Sequence, residues 1–278
     1  MKKILVPIDF SKYSEYALKV AADIAKQQEA EILVLHMLGL SEAILTKDES
    51  QETAEAIYYM KLAERGFISF LDKEYLKGIK IAETVRNYKI FSEINDVAKE
   101  NQVDLIVMGS HGSSGLSEIF VGSNTEKVVR TSDVPVLVIK DHIDEFIIKE
   151  AIFACDFKMD NIRPYLNALR LFEFFNANVN LLYVNLPGER FKSSNQIEDR
   201  IMEFIFKADS GNLENFDKVK IRSDFSVESG VFNYSQKINA DVIALSTHGR
   251  RGLSHFFNGS IGEDIANHAN KPVITFKI

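Results

Sequence analysis

Three glycines and a serine, Gly109-x2-Gly112-x9-Gly122-Ser123, form the stretch of this chain with the plainest chemical meaning. Glycine lets a backbone turn with positive φ and approach a ligand with no Cβ in the way. Gly122-Ser123 falls directly before a helix expected from Asn124, where exposed amide N–H groups and the helix dipole suit phosphate oxygens. The Ser123 and Thr125 hydroxyls would add donors. A glycine set of this kind also reads as a plain turn leading into a helix. Neither Gly-x4-Gly-Lys-Ser/Thr nor Gly-x-Gly-x-x-Gly after the first strand occurs, so two familiar phosphate-binding signatures are missing. Repetition is what favours a ligand.

Residues 104–123 recur as 241–260 at a constant spacing of 137. That register pairs His111 with His248, Gly112 with Gly249, Gly122 with Gly259, Ser123 with Ser260 and Pro135 with Pro272. Self-similarity in one register marks a duplicated unit. The beginnings match as well, Ile8-Asp9-Phe10 against Cys155-Asp156-Phe157, but at a spacing of 147, so the first copy holds ten more residues before Asp104. A chain of 278 residues has room for about two ordinary domains. We expect a first domain over 1–140, a linker over 141–150 and a second domain over 151–278. The linker has no Pro/Gly run, so the domains should pack together.

The elements that must position these loops alternate in type. In the first copy, strands are expected at 3–8, 30–37, 79–85, 103–108 and 134–139. Helices are expected after Ser11, a plausible N-cap, then over much of 49–76, at 90–100 and at 124–131. The second copy repeats this with strands at 151–154, 178–183, 219–223, 241–245 and 272–276, and helices at 163–176, 230–238 and 261–268. Strands apolar on both faces and separated by helices imply parallel sheets covered on both sides. In such sheets ligands bind beyond the carboxyl ends of strands where the strand order reverses, and the chain reaches such ends at Asp9 and Gly109.

Composition narrows the class. With 46% apolar and 26% charged residues the chain is not a disordered one. A net charge of −7 argues against nucleic acid or an anionic membrane as the partner. The single cysteine, Cys155, forms no intramolecular disulfide and suits a reducing compartment. The apolar run after Met1-Lys2-Lys3 is too short for a signal peptide, and no stretch of about 18 apolar residues occurs. The expected location is the cytoplasm.

Ile4-Leu-Val-Pro-Ile-Asp-Phe-Ser11, the Gly-x2-Gly-x9-Gly-Ser signature and the closing Val134-Pro-Val-Leu-Val138 together resemble the universal stress protein family in its tandem form. The resemblance covers nearly the whole chain and implies an α/β fold of two similar domains. Each would be a five-stranded parallel sheet in the order 3-2-1-4-5, with helices on both faces, and the domains would pair through their last strands. It also implies ATP between the first and fourth strands. Hard cations bind phosphate oxygens with few protein ligands, so Mg2+ is expected to accompany the triphosphate and no protein-ligated metal is expected. Family members include both binders and non-binders of ATP. Carried over by position, Pro7 and Asp9 would line and hold the nucleoside and Met37 would meet the adenine edge. Met108 and Gly109 would lie under ribose and phosphates, and Gly112, Gly122, Ser123, Asn124 and Thr125 would hold phosphates. In the second copy Asp156, Val184, Gly249, Gly259 and Ser260 keep the pattern. Ser246 replaces the first glycine, and Ala154 and Cys155 stand for Pro7 and Ile8.

Other features have plainer explanations beside the functional ones. Arg250 and Arg251 either compensate for a tighter loop or are solvated surface charges. His111 and His248 face a ligand or bond to loop backbone. Cys155 reads as a small core residue, and no His/Cys cluster has zinc spacing. Residues 49–76 form either a lid over the first site or a longer crossover helix. No paired nucleophile and base stand in the signature segments, so catalysis is not expected beyond slow ATP hydrolysis. The function implied is a nucleotide-dependent stress-response module. The alternatives are an interaction protein of the same fold that binds no nucleotide, and a slow ATPase. Self-association as a homodimer is compatible with either.

Overall fold

A computed structural model describes residues 1–38, 49–87, 93–110, 123–247 and 271–278. Strands β1 (Lys3–Ile8), β2 (Glu31–Leu38), β3 (Ile81–Asn87), β4 (Leu105–Gly109) and β5 (Val136–Ile139) belong to the first half. Helices α1 (Lys12–Gln28), α2 (Glu49–Leu71), α3 (Glu93–Glu100) and α4 (Ser123–Thr131) alternate with them. The second half carries β6 (Glu150–Ala154), α5 (Ile162–Phe174), β7 (Asn178–Asn185), α6 (Ser194–Ala208), β8 (Val219–Ser223), α7 (Val227–Lys237), β9 (Val242–Thr247) and β10 (Val273–Lys277).

These strands make one sheet in the order β3-β2-β1-β4-β5-β10-β9-β6-β7-β8. Each half is therefore a parallel sheet in the order 3-2-1-4-5, and the family's expected fold occurs twice. The halves meet where β5 and β10 run antiparallel, with Val138 opposite Val273 and Val136 opposite Thr275. Successive strand residues face opposite sides, and both sides are covered. Ile4, Val6 and Ile8 join α1, α2 and α5 in a core that continues across the junction to Phe153 and Phe276. Leu5, Leu33 and Leu35 face α3 and α4 through Ile94, Val97 and Val128. A separate cluster under α7 joins Ile152, Leu182 and Ile243 with Val231. Each such fully buried aliphatic side chain contributes about 1.5–3 kcal/mol of hydrophobic free energy.

Residues 141–149 are clamped against α1. Gln27 Nε2 donates to the Phe146 carbonyl at 2.7 Å, and the Phe146 amide donates to Asp23 Oδ2 at 3.0 Å. Helix α2 is a crossover helix: Ala63, Phe67 and Phe70 are buried in the core, and the helix gives way to a 3-10 turn at Glu74–Leu76. The Phe10 ring lies across α2 at Gly66, where a Cβ would come within 2.7 Å of Phe10 Cζ. Helix α6 escaped the sequence reading. Its start carries the signal nonetheless, a capping box in which Ser193 Oγ accepts from the Gln196 amide and Gln196 returns a bond to the Ser193 amide. The helix expected at 261–268 lies outside the described residues.

Candidate functional site

At the carboxyl end of β1 the chain makes the same turn in both halves. Phe10 has φ 61° and Phe157 φ 52°, the left-handed region that aromatic residues seldom occupy. An aspartate just before each closes the turn: Asp9 Oδ1 accepts from the Ser11 amide at 3.0 Å, and Asp156 Oδ1 from the Lys158 amide at 3.1 Å. Ser11 then caps α1 by accepting from the Ser14 amide at 3.3 Å. Partial burial pushes the Asp9 carboxyl up, but hydrogen bonds from Ser11 and Ser14 outweigh it and hold the group below the ordinary range. Asp9 thus presents an ionised, exposed carboxylate just past β1.

Pro7 shapes the gap beside it. The Lys3 carbonyl accepts from the Asp104 amide toward β4, so by strand alternation the missing N–H of Pro7 is one that would have faced β4. The β1–β4 ladder pairs only Ile4 with Leu105 and Leu5 with Ile106. In the second half Ala154 replaces Pro7 and keeps its N–H. There the β6–β9 ladder runs on through Ala154 opposite Leu245. The strands on either side of the switch point therefore part earlier in the first half.

Gly109 ends β4 under the first turn of α1. A Cβ there would stand 2.2 Å from the Tyr13 carbonyl oxygen, so packing alone demands glycine. In the second half the chain segment equivalent to Tyr13-Ser14 is a 3-10 turn, Met159–Asn161, and Ser246 is accommodated. Thr125 is buried, and its hydroxyl donates to the Gly109 carbonyl at 3.1 Å, latching the start of α4 onto β4. That bond uses the hydroxyl's one proton. Ser123 and Asn124 are the first residues of α4, while Gly112 and Gly122 lie outside the described residues. Met108 is buried toward α3 and α4, and Met37 is half-buried at the end of β2. Lys140 follows Ile139, the residue paired with Gly109, and burial brings its ammonium down to about 8. The sequence reading missed it because a lysine next to Asp141 looks like ordinary surface charge.

In the second half a cavity of about 190 Å³ opens at the ends of β6, β7 and β9. Asp156, Val184 and Ser246 all line it, with Asn161, which the sequence reading passed over. Asp156 is paired with Lys158 at 2.6 Å. Cys155 also lines the cavity, but burial pushes its thiol up and leaves it protonated. Gly249, Gly259, Ser260, His111, His248, Arg250 and Arg251 fall outside the described residues. Among the described residues no group of three or more His, Cys, Asp or Glu could hold a metal ion, and no helix is long and apolar enough to cross a membrane.

Taken together, the fold and its strand-end sites define a class: two doubly wound α/β units fused into one sheet, each with an acidic turn at its switch point. The family model described as "Universal stress protein family" matches residues 1–140 and 165–277, and the chain belongs to that family. A universal stress protein of Methanocaldococcus jannaschii, MJ0577, is 33% identical over 153 residues, covering 50% of this chain and 94% of its own. YxiE of Bacillus subtilis is 36% identical over 154 residues, covering 50% of this chain and 98% of its own. A universal stress protein structure from Archaeoglobus fulgidus covers 99% of this chain and 98% of its own at TM-score 0.62 and 22% identity, a likeness of fold alone.

Proposed function

We propose that the chain is an ATP-binding universal stress protein, acting as a nucleotide-dependent regulatory module, with its principal site at the ends of β1 and β4. The observation that carries this reading is the meeting of an exposed carboxylate, Asp9, with a ladder that Pro7 cuts short, at the point where the strand order reverses. The donor set suits such a ligand. A carboxylate can accept from ribose hydroxyls or a base amine, and the start of α4 at Ser123 offers backbone N–H groups to phosphate oxygens. Pro7 and Asp9 would hold the nucleoside and Met37 the base edge. Gly109, Gly112, Gly122, Ser123 and Asn124 would approach the phosphates. Thr125 acts through its bond to Gly109 and so positions the α4 start. Bound ATP, with Mg2+ on its phosphates, would supply negative charge and a hydrolysable anhydride. No residue described activates a water against it, so we assign no turnover.

The reading places the protein in the cytoplasm. Its test is direct. Protein purified without added nucleotide, then heat-denatured, should release ATP, ADP or AMP into the supernatant or, failing that, bind added ATP in a calorimeter. Neither release nor binding would leave the interaction-protein alternative.

A further inference from the structure

Helix α2 joins β2 to β3 and α6 joins β7 to β8, so the two lie over opposite ends of the ten-stranded sheet. Their inner faces, Ala63 and Phe67 in α2 and Ile201 and Phe204 in α6, enter the same core as α1 and α5, which puts all four helices on one side. Their outer faces carry matching patterns. Tyr58, Lys61, Leu62 and Arg65 stand at i, i+3, i+4 and i+7 and form one exposed stripe on α2. Asp199, Met202, Glu203 and Phe206 have the same spacing on α6 and are exposed too. Tyr58 at 61% and Phe206 at 57% exposure leave large aromatic surfaces in water. None of the four charged residues has an ion-pair partner among the described residues.

The stripes complement each other when read in opposite directions. Tyr58 is then level with Phe206, Leu62 with Met202, Lys61 with Glu203 and Arg65 with Asp199, so apolar groups meet apolar groups and two cations meet two anions. One chain cannot make this contact with itself. About eight strand spacings of about 4.8 Å hold its α2 and α6 roughly 40 Å apart. Two copies can make it. Crossover helices run against their strands, and the halves are antiparallel where β5 meets β10, so α2 and α6 point in opposite directions. A twofold axis along the strands at that junction lays the helix layer of one copy on that of another. Each α2 then lies antiparallel on the other copy's α6, and the contact is made twice, as a closed dimer requires. With about 150–250 Å² in each aromatic side chain, the two contacts offer roughly 800 Å² of apolar surface. The charged rims carry the total past the roughly 1,000 Å² of a specific interface.

We propose that the chain forms a face-to-face homodimer in which α2 of each copy docks on α6 of the other. Duplication has thus given one chain both halves of a complementary pair, a basic stripe in the first unit and an acidic one in the second. The contact does not depend on nucleotide.

The test is sedimentation equilibrium of the full chain at concentrations up to about 100 μM, above the micromolar range where an interface of this size begins to associate. The unaltered protein should show twice the 31.5 kDa of one chain. Leu62→Asp and Met202→Asp should each weaken the dimer at least tenfold, about 1.4 kcal/mol. Arg65→Glu and Asp199→Arg should each weaken it by about fivefold or more, and the two together should restore it, because the exchange rebuilds the pair with its signs reversed. All four positions are exposed, and circular dichroism checks that each variant folds; should an apolar variant fail, the charge exchange decides alone. A monomer at every concentration overturns the proposal. So does a dimer that survives the single substitutions, which would place the contact elsewhere, such as the β3 or β8 edge, or a double exchange that restores nothing.

Discussion

Single atoms decide what the strand ends can be. Gly109 is held to glycine by the Tyr13 carbonyl, so its place in the signature does not by itself argue for a ligand. Gly109→Ala should destabilise the chain by about 2–3 kcal/mol, because the obstacle is backbone and cannot swing aside. Ser246→Gly should cost under about 1 kcal/mol in strand stability. Urea unfolding of both variants checks the contrast, and equal losses would mean the two strand ends are packed alike. The Thr125 latch works in the same way: Thr125→Val keeps the shape but removes the donor to Gly109, costing about 1–2 kcal/mol of stability. A nucleotide affinity that falls along with it would mark the α4 start as part of the site.

At the level of elements, the halves share one topology and differ in how tightly the switch point is closed. Pro7 is the local cause in the first half, Ala154 its replacement in the second. Ala154→Pro should remove one ladder bond between β6 and β9 and destabilise the chain by about 1–3 kcal/mol. Hydrogen exchange should then speed up at the end of β9, and unchanged protection there would contradict the ladder account. Much of this order could be read from sequence. Apolar runs such as Ile4–Ile8 located strands, and the 137-residue register located the second set. Ser11 announced the start of α1, and the helix formed as expected. What escaped had weaker periodic signals. Helix α6 is announced mainly by the Ser193–Gln196 capping box, while α2 ends at Leu71 inside the 49–76 stretch expected to be largely helical. Of the site, the aspartates, Pro7 and Ser246 were visible as departures or matches between copies. Asn161 and Lys140 were not, because what sets them apart is burial, which no local pattern encodes.

For the whole molecule, one antiparallel strand pair makes two units into one sheet, and side chains reinforce it across the junction. Lys277 of β10 donates to the Thr131 carbonyl and to Asp133 at 3.0 Å, both in the first half, and Lys99 also engages Asp133. Hydrogen bonds from Lys99 and Lys277 lower the Asp133 carboxyl to about 2. A folded pKa below the ordinary value means the contribution is complete above about pH 4 and disappears as pH falls toward 2. With its partial exposure the group adds about 1 kcal/mol at neutral pH. Asp133→Asn should lose that amount at pH 7 and little at pH 2, read from urea midpoints at both values. A loss independent of pH would assign the effect to packing instead.

The same view of the whole chain separates its halves: the first carries the full signature, and in the second Ser246 replaces the first glycine. The claim that ATP sits at the end of β1 and β4 is tested most directly by titrating ATP into wild type and Gly122→Val in a calorimeter. The account predicts saturable binding in wild type and loss of the first-half component in the variant, because a valine side chain would block the backbone approach to phosphate. Absence of binding in wild type, or unchanged affinity and stoichiometry in the folded variant, would contradict it.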